Sequence, residues 1–425
     1  MTDRRFDVLV VGSGPAGSIA ALVLASGGAR VAVVDKATFP RDKACGDLIG
    51  PRGVQLLRDL KLDMPEAPRV SDMLVVGPTG NRVRLPARAG RTYPGHGIVV
   101  PRGQFDAVLQ GAAIDAGAVL LNGRAEEPIV ENGRLTGFSV SSSSRPAGTR
   151  VRADVLVGAD GATSRVAEVA RLVDTRRVLW GFAIRAYHDE PIEVPHILFW
   201  TPAPASGFPG YGWAFPAGDG GANVGLGVGV LADRSAGRRA ARDLDAFVEH
   251  ASRVGVLAAC HAPRLQSRPL GAWLKMGLVG TKPASGRVLL VGDAAGLVNP
   301  LQGEGIAQAM DSGRAAAVAI LGGVEHAADC YSSHLAAEHA RYLSTSASVQ
   351  RLLLRSPRLV AAATRGLTWP VVGNPLAGGW SISWNDLLDG AQPGIAKGVA
   401  AIAAGLGYAM TARSADRRWI AAHVI

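Results

Sequence analysis

The chain has 425 residues, of which 48% are hydrophobic and 19% charged, and its formal net charge is +10. These values exclude a disordered or acidic protein and predict two or three domains with a substantial core. The positive balance favours anionic partners such as phosphate-bearing ligands or an anionic membrane, but the basic residues are dispersed, so no nucleic-acid partner is expected.

The first predicted elements form a strand, a glycine-rich turn, a helix and a second strand. The apolar run 7–11 leads into Gly12–Gly17, with the sequence GSGPAG, and a helical pattern of apolar residues follows. The second strand, 31–34, ends at Asp35, which lies 23 residues beyond Gly12. This complete βαβ unit is typical of a dinucleotide-binding fold, whereas a glycine-rich turn without a nucleotide is the alternative.

Each residue type in this unit suits a phosphate-bearing ligand. Gly12 permits the tight turn, Gly14 lets the backbone approach a pyrophosphate, and Gly17 lets the helix pack on the strand. The helix N-terminus then directs its free N–H groups at the phosphates. Asp35 suits a ribose 2′-hydroxyl and would repel a 2′-phosphate, so the unit predicts FAD or NAD rather than NADP.

The next segment of interest surrounds Cys45. This cysteine lies among Arg41, Lys43 and Gly46, a basic and conformationally permissive setting that favours proton transfer or close approach to a bound group. A cysteine that only packs in the interior is the alternative.

An aromatic strand is predicted further along the chain. Tyr211, Trp213 and Phe215 alternate, which places three rings on one face of a strand. Such a wall suits an apolar chain or a flavin ring, and the indole N–H of Trp213 needs a partner if it is buried. A hydrophobic core strand is the alternative. Further strands are predicted at 73–76, 82–85, 181–187 and 222–230.

Two later strands each end in an aspartate. The run 155–157 leads to Asp160, and the run 288–291 leads to Asp293. Carboxylates at the carboxyl ends of strands lie where an open α/β sheet binds ligands, although a turn residue or helix cap is the alternative for each. A helix is predicted after Asn299–Ile306, with the N–H groups of Gly305 and Ile306 facing a reduced flavin anion.

Together, GSGPAG with Asp35, the ADG strand and VGDAAG followed by NPLQGEGI resemble FAD-dependent oxidoreductases of the para-hydroxybenzoate-hydroxylase type. In that group one FAD is wrapped by all three segments, so the resemblance implies FAD rather than NAD. VPRGQFD resembles the segment whose arginine lies beside the cofactor, a role carried here to Arg102, with a solvated helix-start arginine as the alternative. The predicted cofactor contacts are Gly12, Gly14, Ala16, Gly17, Asp35, Cys45, Gly46, Arg102, Ala125, Asp160, Asp293, Gly305 and Ile306.

Two segments resemble the geranylgeranyl reductase family within this superfamily. FPRDKACGD is similar to its cysteine-glycine loop, and PGYGWAFP followed by VGLG is similar to its aromatic signature. The resemblance implies saturation of isoprenoid double bonds on geranylgeranyl groups, archaeal-type lipids or the prenyl tail of menaquinone. It implies hydride transfer from reduced flavin N5 to one alkene carbon and a proton to the other, with Cys45, Tyr211 and Trp213 as catalytic residues. NAD(P)H or another reductant is the expected electron donor.

Other functions stay open on the same residues. The main alternative is an FAD-dependent monooxygenase or halogenase acting on an aromatic or carrier-bound substrate, although halogenases typically show WxWxIP where this chain has YGWAFP. A dehydrogenase on acyl-type substrates and a non-enzymatic flavin or lipid carrier are further alternatives. No metal site is expected, because the nearest histidine pair, His334 and His339, has no ligand cluster around it in the sequence.

The predicted fold is α/β (α+β overall). It combines a Rossmann-type FAD-binding domain of the glutathione-reductase and para-hydroxybenzoate-hydroxylase kind, an antiparallel β-sheet substrate domain and a helical C-terminal region. The FAD-binding domain is predicted to be discontinuous, with segments 1–70, 96–170 and 275–345, and the substrate domain to comprise 71–95 and 171–274.

The predicted helical cap, 346–425, is rich in alanine, arginine and tryptophan. It is expected to cover the substrate cavity and to rest on anionic lipid, with an ordinary packed tail as the alternative. The expected location is cytoplasmic, with peripheral contact at the inner face of the membrane.

Overall fold

The computed structural model describes residues 2–382 apart from 63, 65, 143–144, 201–209, 219, 231–235, 259–267, 370 and 372, together with 394–395, 397–398 and 401–402. The strands are β1 Thr2–Val11, β2 Val31–Asp35, β3 Leu48–Ile49, β4 Arg69–Val70, β5 Asp72–Val76, β6 Arg82–Pro86, β7 Gly97–Val99, β8 Val119–Asn122, β9 Arg124–Glu131, β10 Arg134–Ser142, β11 Arg145–Gly158, β12 Leu179–His188, β13 His196–Leu198, β14 Gly210–Pro216, β15 Ala222–Val230, β16 Leu270–Met276, β17 Ala284–Ser285 and β18 Val288–Leu290.

The α-helices are α1 Pro15–Ser26, α2 Pro51–Asp59, α3 Arg102–Asp115, α4 Arg165–Val169, α5 Ala236–Arg253, α6 Ile306–Leu321, α7 Ala327–Leu335, α8 Arg341–Arg355, α9 Pro357–Leu367 and α10 Gly373–Ile382. A short 3₁₀ turn, Gly292–Ala294, follows β18, and a π-helical turn, Ala336–Ala340, joins α7 to α8.

The first sheet is mainly parallel and carries the nucleotide-type βαβ unit. Its strand order is β17-β18-β11-β1-β2-β8, and β10 pairs with β11 and β9. The central strands are almost entirely apolar because helices cover both faces, as expected of a parallel sheet. α1 packs closely on α6, where a Cβ atom on Gly313 would lie 2.2 Å from the Ala16 carbonyl oxygen. The sheet therefore brings the carboxyl ends of β1, β11 and β18 to one edge.

The second sheet is mainly antiparallel and separates two environments. Its order is β16-β12-β15-β14-β13-β5-β6, with one parallel pairing between β13 and β5. One face packs on α5, where Phe247 and Leu244 join Ile184 in a buried apolar cluster. The opposite face carries Ala183 and Trp213, which line a cavity. This alternation follows from the period of two in a strand.

The predicted α/β arrangement is confirmed, with a parallel sheet and an antiparallel sheet assembled from segments far apart in the sequence. The four supporting strands predicted at 73–76, 82–85, 181–187 and 222–230 correspond to β5, β6, β12 and β15. The domain boundaries themselves stay predictions. Within the described ranges, we find no helix with the length and apolar character needed to cross a bilayer.

Candidate active site

The glycine turn after β1 is shaped by its contact with the end of β11. Gly12 has a φ of +103°, and a Cβ atom there would lie 2.2 Å from the carbonyl oxygen of Ala159. A Cβ atom on Gly17 would lie 1.9 Å from the Gly12 carbonyl oxygen. Packing within the chain therefore accounts for both glycines, as the tight turn and the close helix contact predicted from the sequence require.

Gly14 differs because open space lies in front of it. A Cβ atom there would meet only Arg41 Nη2, at 3.8 Å, and no described side chain caps the N-terminus of α1, which begins at Pro15. At the end of β2, the carboxylate of Asp35 accepts hydrogen bonds from the N–H groups of Ser13 at 2.7 Å and Ala37 at 2.8 Å. An open backbone cradle, free helix N–H groups and a nearby carboxylate fit the pyrophosphate and ribose of a dinucleotide.

Asp160 has a structural use in the chain itself. Its carboxylate accepts hydrogen bonds from the Ser164 hydroxyl at 2.5 Å and from the N–H groups of Arg165 and Val166 at 2.7 and 3.2 Å. The Asp160 carboxylate therefore satisfies N–H groups in the first turn of α4, as a helix cap does, and its contact with the cofactor stays a prediction. Ala125 lies in β9, three residues beyond the strand β8 that pairs with β2, and it does not line the cavity.

The third motif lies beside the cysteine loop. Asp293 follows β18, and its Oδ2 atom lies 3.9 Å from Lys43 Nζ. Gly305 and Ile306 form the start of α6, and Asp293, Gly305 and Ile306 all line the cavity together with Cys45. The structure thus brings two segments that are about 250 residues apart in sequence to the same wall.

The cavity has a volume of about 400 Å³ and a mainly apolar lining. One wall is the inner face of the second sheet, and another is the cysteine loop with the start of α6. The third wall comes from α8 and α9, through residues that include Val349, Leu353, Val360 and Leu367. The described part of the predicted C-terminal cap therefore contributes directly to the cavity.

The aromatic strand is β14, and its geometry follows the predicted alternation. Tyr211, Trp213 and Phe215 line the cavity, with ring centroids of consecutive aromatic residues 6.3 Å apart. Gly212 points the other way, since a Cβ atom there would lie 2.0 Å from the Phe247 ring of α5. The Trp213 indole N–H donates to Asn223 Oδ1 at 2.9 Å, which supplies the partner that a buried indole needs.

Cys45 and Arg102 meet at the base of this cavity. Arg102 is only 4% exposed, so the alternative of a solvated helix-start arginine is wrong. Its guanidinium donates twice to the Asp106 carboxylate, at 2.7 and 2.6 Å, and Arg41 Nη2 lies 2.9 Å from the same carboxylate. Burial raises the pKa of the Cys45 thiol although the nearby Arg102 charge opposes this, so the thiol is protonated at neutral pH.

Asp47 organises the loop that carries Cys45. This aspartate was not predicted as a site residue from the sequence. It is fully buried with a φ of +60°, and its Oδ2 atom accepts hydrogen bonds from Tyr187 at 2.6 Å and Asn223 Nδ2 at 2.8 Å. Asn223 Nδ2 also donates to the Cys45 carbonyl oxygen at 2.8 Å. This network joins the cysteine loop to β12 and β15 and, through Asn223, to the Trp213 indole.

Arg185 lies next to this network and is also an unpredicted residue of the site. Its side chain is fully buried in β12, lies 4.4 Å above the Tyr187 ring, and donates to Asp42 and to the Lys43 carbonyl oxygen. The available sequence signal was the pair of polar residues, Arg185 and Tyr187, on the same strand face as Ala183. Polar residues on the inner face of an otherwise apolar strand indicate a site rather than a core.

Glu304 is another cavity residue that was not predicted as a site residue from the sequence. It lies between Gly303 and Gly305, directly before α6, and its Oε1 atom accepts a hydrogen bond from the Ala307 N–H at 3.3 Å. Its Oε2 atom is buried and has no hydrogen-bond partner among the described residues. Burial raises the pKa of Glu304 to about 7, although the Gln308 side chain and the Ala307 N–H oppose the shift.

The expectation that His334 and His339 have no neighbouring ligand is wrong. Each of their Nε2 atoms lies 2.8 Å from Asp311 Oδ2, and Tyr342 Oη lies 2.8 Å from His339 Nδ1. The three donor groups could hold a metal ion by their spacing. The contact of Asp311 with the two histidines was not predicted, because Asp311 lies in α6, more than twenty residues before them in the sequence.

The C-terminal surface beyond the cavity exposes several large apolar residues. Trp369 is 60% exposed and Val371 81% exposed, and the neighbouring α8 and α9 expose Leu352 and Leu359. Of the other tryptophans in the predicted cap, Trp384 and Trp419 lie outside the described residues.

Comparisons with known proteins agree with the nucleotide-type cradle. A family profile described as FAD binding domain matches residues 5–329. The chain is 35% identical to menaquinone reductase of Mycolicibacterium smegmatis over 84% of this chain and 87% of that protein. It is 32% identical to digeranylgeranylglycerophospholipid reductase 2 of Methanopyrus kandleri over 73% and 76% of the two chains.

A solved structure of a geranylgeranyl bacteriochlorophyll reductase-like protein from Thermoplasma acidophilum has the same fold. It superposes with a TM-score of 0.68 at 24% sequence identity and covers 87% of this chain and 93% of its own. That likeness supports the two-sheet architecture that places the cavity beside the nucleotide-type cradle.

Proposed function

The chain belongs to the FAD binding domain family and is an FAD-dependent oxidoreductase, and from this premise we propose that it saturates carbon–carbon double bonds of an isoprenoid chain. The substrate class comprises geranylgeranyl groups and the prenyl tails of quinones or lipids. Relatives that are named as menaquinone reductase and digeranylgeranylglycerophospholipid reductase support this assignment at 35% and 32% identity.

The observation that carries the proposal is the position of the cavity. A mainly apolar space of about 400 Å³ lies between the aromatic strand and the wall formed by Cys45, Asp293 and the start of α6. A prenyl chain is long, flexible and apolar, so it gains binding free energy from burial against such walls. An isolated alkene accepts hydride poorly, and this binding free energy holds one double bond in position within a space that excludes water.

We assign the cofactor contacts in two groups. Gly14, with the N-terminus of α1, faces the pyrophosphate, and Asp35 holds the ribose of the dinucleotide half; Gly12, Ala16 and Gly17 shape this turn. When bound and reduced, FAD supplies the hydride.

The second group surrounds the reactive end of the cofactor. Asp293, Gly305, Ile306, Gly46 and Arg102 line or border the cavity there. Arg102 is fixed by its two hydrogen bonds to Asp106, so its charge stays in place without help from solvent. Asp160 and Ala125 are assigned as further cofactor contacts, and the Asp160 carboxylate also binds the N–H groups of Arg165 and Val166 at the start of α4.

Tyr211 and Trp213 position the substrate, and Cys45 contacts both cofactor and substrate as a neutral thiol. A test of Cys45 is the variant Cys45→Ser, which keeps the size of the side chain. We expect it to retain FAD and to lose turnover, because the Asp47 N–H holds Cys45 Sγ in place at 3.4 Å and a polar hydroxyl group would not reproduce the contacts of the neutral thiol with cofactor and substrate. A variant with bound flavin and full turnover would remove any role for the thiol.

The direct test of the function is an anaerobic incubation of the reduced enzyme with menaquinone or with a geranylgeranyl lipid. Fragment masses in mass spectrometry should place the gain of two hydrogens on the prenyl chain and not on the quinone ring, and with the geranylgeranyl lipid an equal amount of flavin should be reoxidised. A product that gains oxygen, formed only when air is admitted, would instead support the monooxygenase or halogenase alternative. Adding NADH, NADPH or a reduced protein carrier to the oxidised enzyme identifies the physiological type of electron donor by the rate of flavin bleaching.

We also propose that the face carrying Trp369 and Val371 rests on an anionic membrane. Its exposed apolar side chains lie next to arginines of α8 and α9, and the same two helices line the cavity, so a prenyl tail can pass from the bilayer to the site. The basic residues are Arg355, Arg358 and Arg365.

Sedimentation with vesicles tests this surface. Wild type should pellet with anionic vesicles at low salt and less at high salt, because surface charge is screened. Arg358→Glu with Arg365→Glu should release the protein, whereas the matched change Arg124→Glu with Arg134→Glu on β9 and β10 should not. Equal behaviour of all three proteins would contradict a membrane contact at this face.

A further inference from the structure

Glu304 is a cavity residue with an incompletely satisfied carboxyl group. Its Oε1 atom has the Ala307 N–H at 3.3 Å, and its Oε2 atom is enclosed without a hydrogen-bond partner among the described residues. A carboxylate oxygen that is buried and unpaired is costly, whereas a neutral carboxyl group is tolerated. The surroundings therefore hold a proton on this residue.

Three groups that can carry an acidic proton line the cavity: the Cys45 thiol, the Tyr211 phenol and the Glu304 carboxyl group. The Tyr211 hydroxyl already donates to the Gln302 carbonyl oxygen. Burial raises the pKa of Cys45 and of Tyr211, which are weak acids at the outset, and it raises the pKa of Glu304 to about 7. Of the three, only the carboxyl group can both hold and release a proton near neutral pH.

Charged groups that line the cavity do not pair with Glu304. In the following helix, α6, Ala307 and Gln308 contact it, and β14 presents Tyr211 toward it. The cysteine loop and α3 contribute charges that are engaged elsewhere, since Lys43 faces Asp293 and Arg102 binds Asp106. The remaining charged lining residues, Asp72 and Arg88, belong to the segment of β5 and β6.

We propose that Glu304 is the acid of the reduction, a role that rests on the proposed function. The O–H bond at its carboxyl group breaks, and the proton forms a C–H bond at one alkene carbon while the other alkene carbon receives the hydride. The π electrons of the double bond form the C–H bond to the proton, and the hydride, which reduced FAD would supply, forms the other C–H bond, so the flavin would be oxidised as the alkene is reduced. The resulting carboxylate regains its proton from water when the product has left.

The first test observes the carboxyl group itself and does not depend on turnover. Infrared difference spectra of the oxidised protein should show the C=O band of a protonated carboxyl group that disappears as the pH is raised through about 7. The band should be absent in Glu304→Gln and unchanged in Glu325→Gln, a control at an exposed acid on the surface. A wild-type spectrum without such a titration, or a band that survives in Glu304→Gln, would overturn the proposal.

The second test follows turnover. The wild-type rate should fall as the pH rises past about 7, because the protonated form is required. In Glu304→Gln we expect a loss of about 100-fold in the rate of substrate reduction, in the range typical of a removed general acid. In this variant the rate of substrate reduction should no longer fall as the pH rises past about 7. The rate of flavin reduction by the donor should be unchanged.

Compared with Glu304→Gln, the variant Glu304→Asp should restore part of the rate of substrate reduction. Its rate should again fall as the pH rises. A Glu304→Gln enzyme with the wild-type rate and pH profile would exclude the role. If wild type forms no saturated product, the proposed reaction fails, and the infrared titration still decides independently whether Glu304 holds a proton near neutral pH.

Discussion

Two partly buried carboxyl groups near the start of α6, about seven residues or two helical turns apart, differ in their hydrogen-bond partners. Asp311 Oδ2 has the imidazole Nε2 atoms of His334 and His339 at 2.8 Å, and its Oδ1 atom lies 3.3 Å from Arg314. Burial would raise the pKa of Asp311, but the two histidines hold it well below its usual range. Among the described residues Glu304 has no cationic partner, and burial raises its pKa to about 7.

The difference in hydrogen-bond partners gives the two residues different roles. Asp311 stabilises the packing of helices, whereas Glu304 is able to exchange a proton. The Asp311 contacts join α6 to α7 and, through the π-helical turn 336–340, to α8, which forms a cavity wall. Every oxygen of Asp311 has a partner, so it is fixed as an ion. Glu304 Oε2 has no hydrogen-bond partner in the described part of the chain, and this arrangement lowers stability but favours a proton on a residue that lines the cavity.

The largest expected effect on stability comes from removing the charge of Asp311. Asp311→Asn should lower the free energy of unfolding by about 2–4 kcal/mol, because it replaces two charge-assisted hydrogen bonds by weaker ones within a buried cluster. Urea denaturation measures the change. The control Asp115→Asn, at an exposed acid near the end of α3, should shift the free energy by less than about 0.5 kcal/mol. Equal effects of the two variants would show that the cluster adds nothing to stability.

A second prediction gives Glu304 the opposite pH dependence from Asp311. Its folded pKa of about 7 lies above the unfolded value of about 4.3, so the folded state binds more protons between these values. Stability should therefore fall as the pH rises through that window, and Glu304→Gln should remove this loss. The free energy of unfolding of Glu304→Gln relative to wild type should be higher at about pH 8 than at about pH 4, by on the order of 1–3 kcal/mol. Parallel pH curves for the two proteins would contradict the comparison.

The smallest effect concerns His334, which is partly exposed to solvent. The Asp311 carboxylate raises the pKa of His334, so its stabilising contribution is complete below the unfolded value of about 6.5 and is lost as the pH rises through the folded pKa. His334→Gln should cost about 0.5–1 kcal/mol at acidic pH and little at alkaline pH, because solvent screens the pair. The exposed His326→Gln serves as the control, and a cost that does not change with pH would exclude the ion pair.

Much of the fold follows from local sequence patterns. The run 7–11, the glycine turn and Asp35 act within about thirty residues, so their strand, helix and strand could be predicted from adjacent residues. The alternation of Tyr211, Trp213 and Phe215 likewise fixed the face of β14 that meets the cavity.

The polar network of the site could not be predicted in this way. Asp47 meets Tyr187 and Asn223 only after β12 and β15 have paired, more than a hundred residues downstream. The same holds for Asp311 and its histidines, which belong to different helices. For Asp160 the local pattern was ambiguous, since a ligand-binding carboxylate and a helix cap share the same place after a strand.

The central claim is that one FAD bound at this cradle passes reducing equivalents to a prenyl double bond in the adjoining cavity. The most direct measurement mixes the reduced, oxygen-free protein with a geranylgeranyl lipid in a stopped-flow spectrophotometer and follows the yellow absorbance of oxidised flavin. We predict that the absorbance returns with this unsaturated lipid and not with the same lipid whose chains are fully saturated. A flavin that stays bleached with both, and recovers its colour only when oxygen is admitted, would contradict the account.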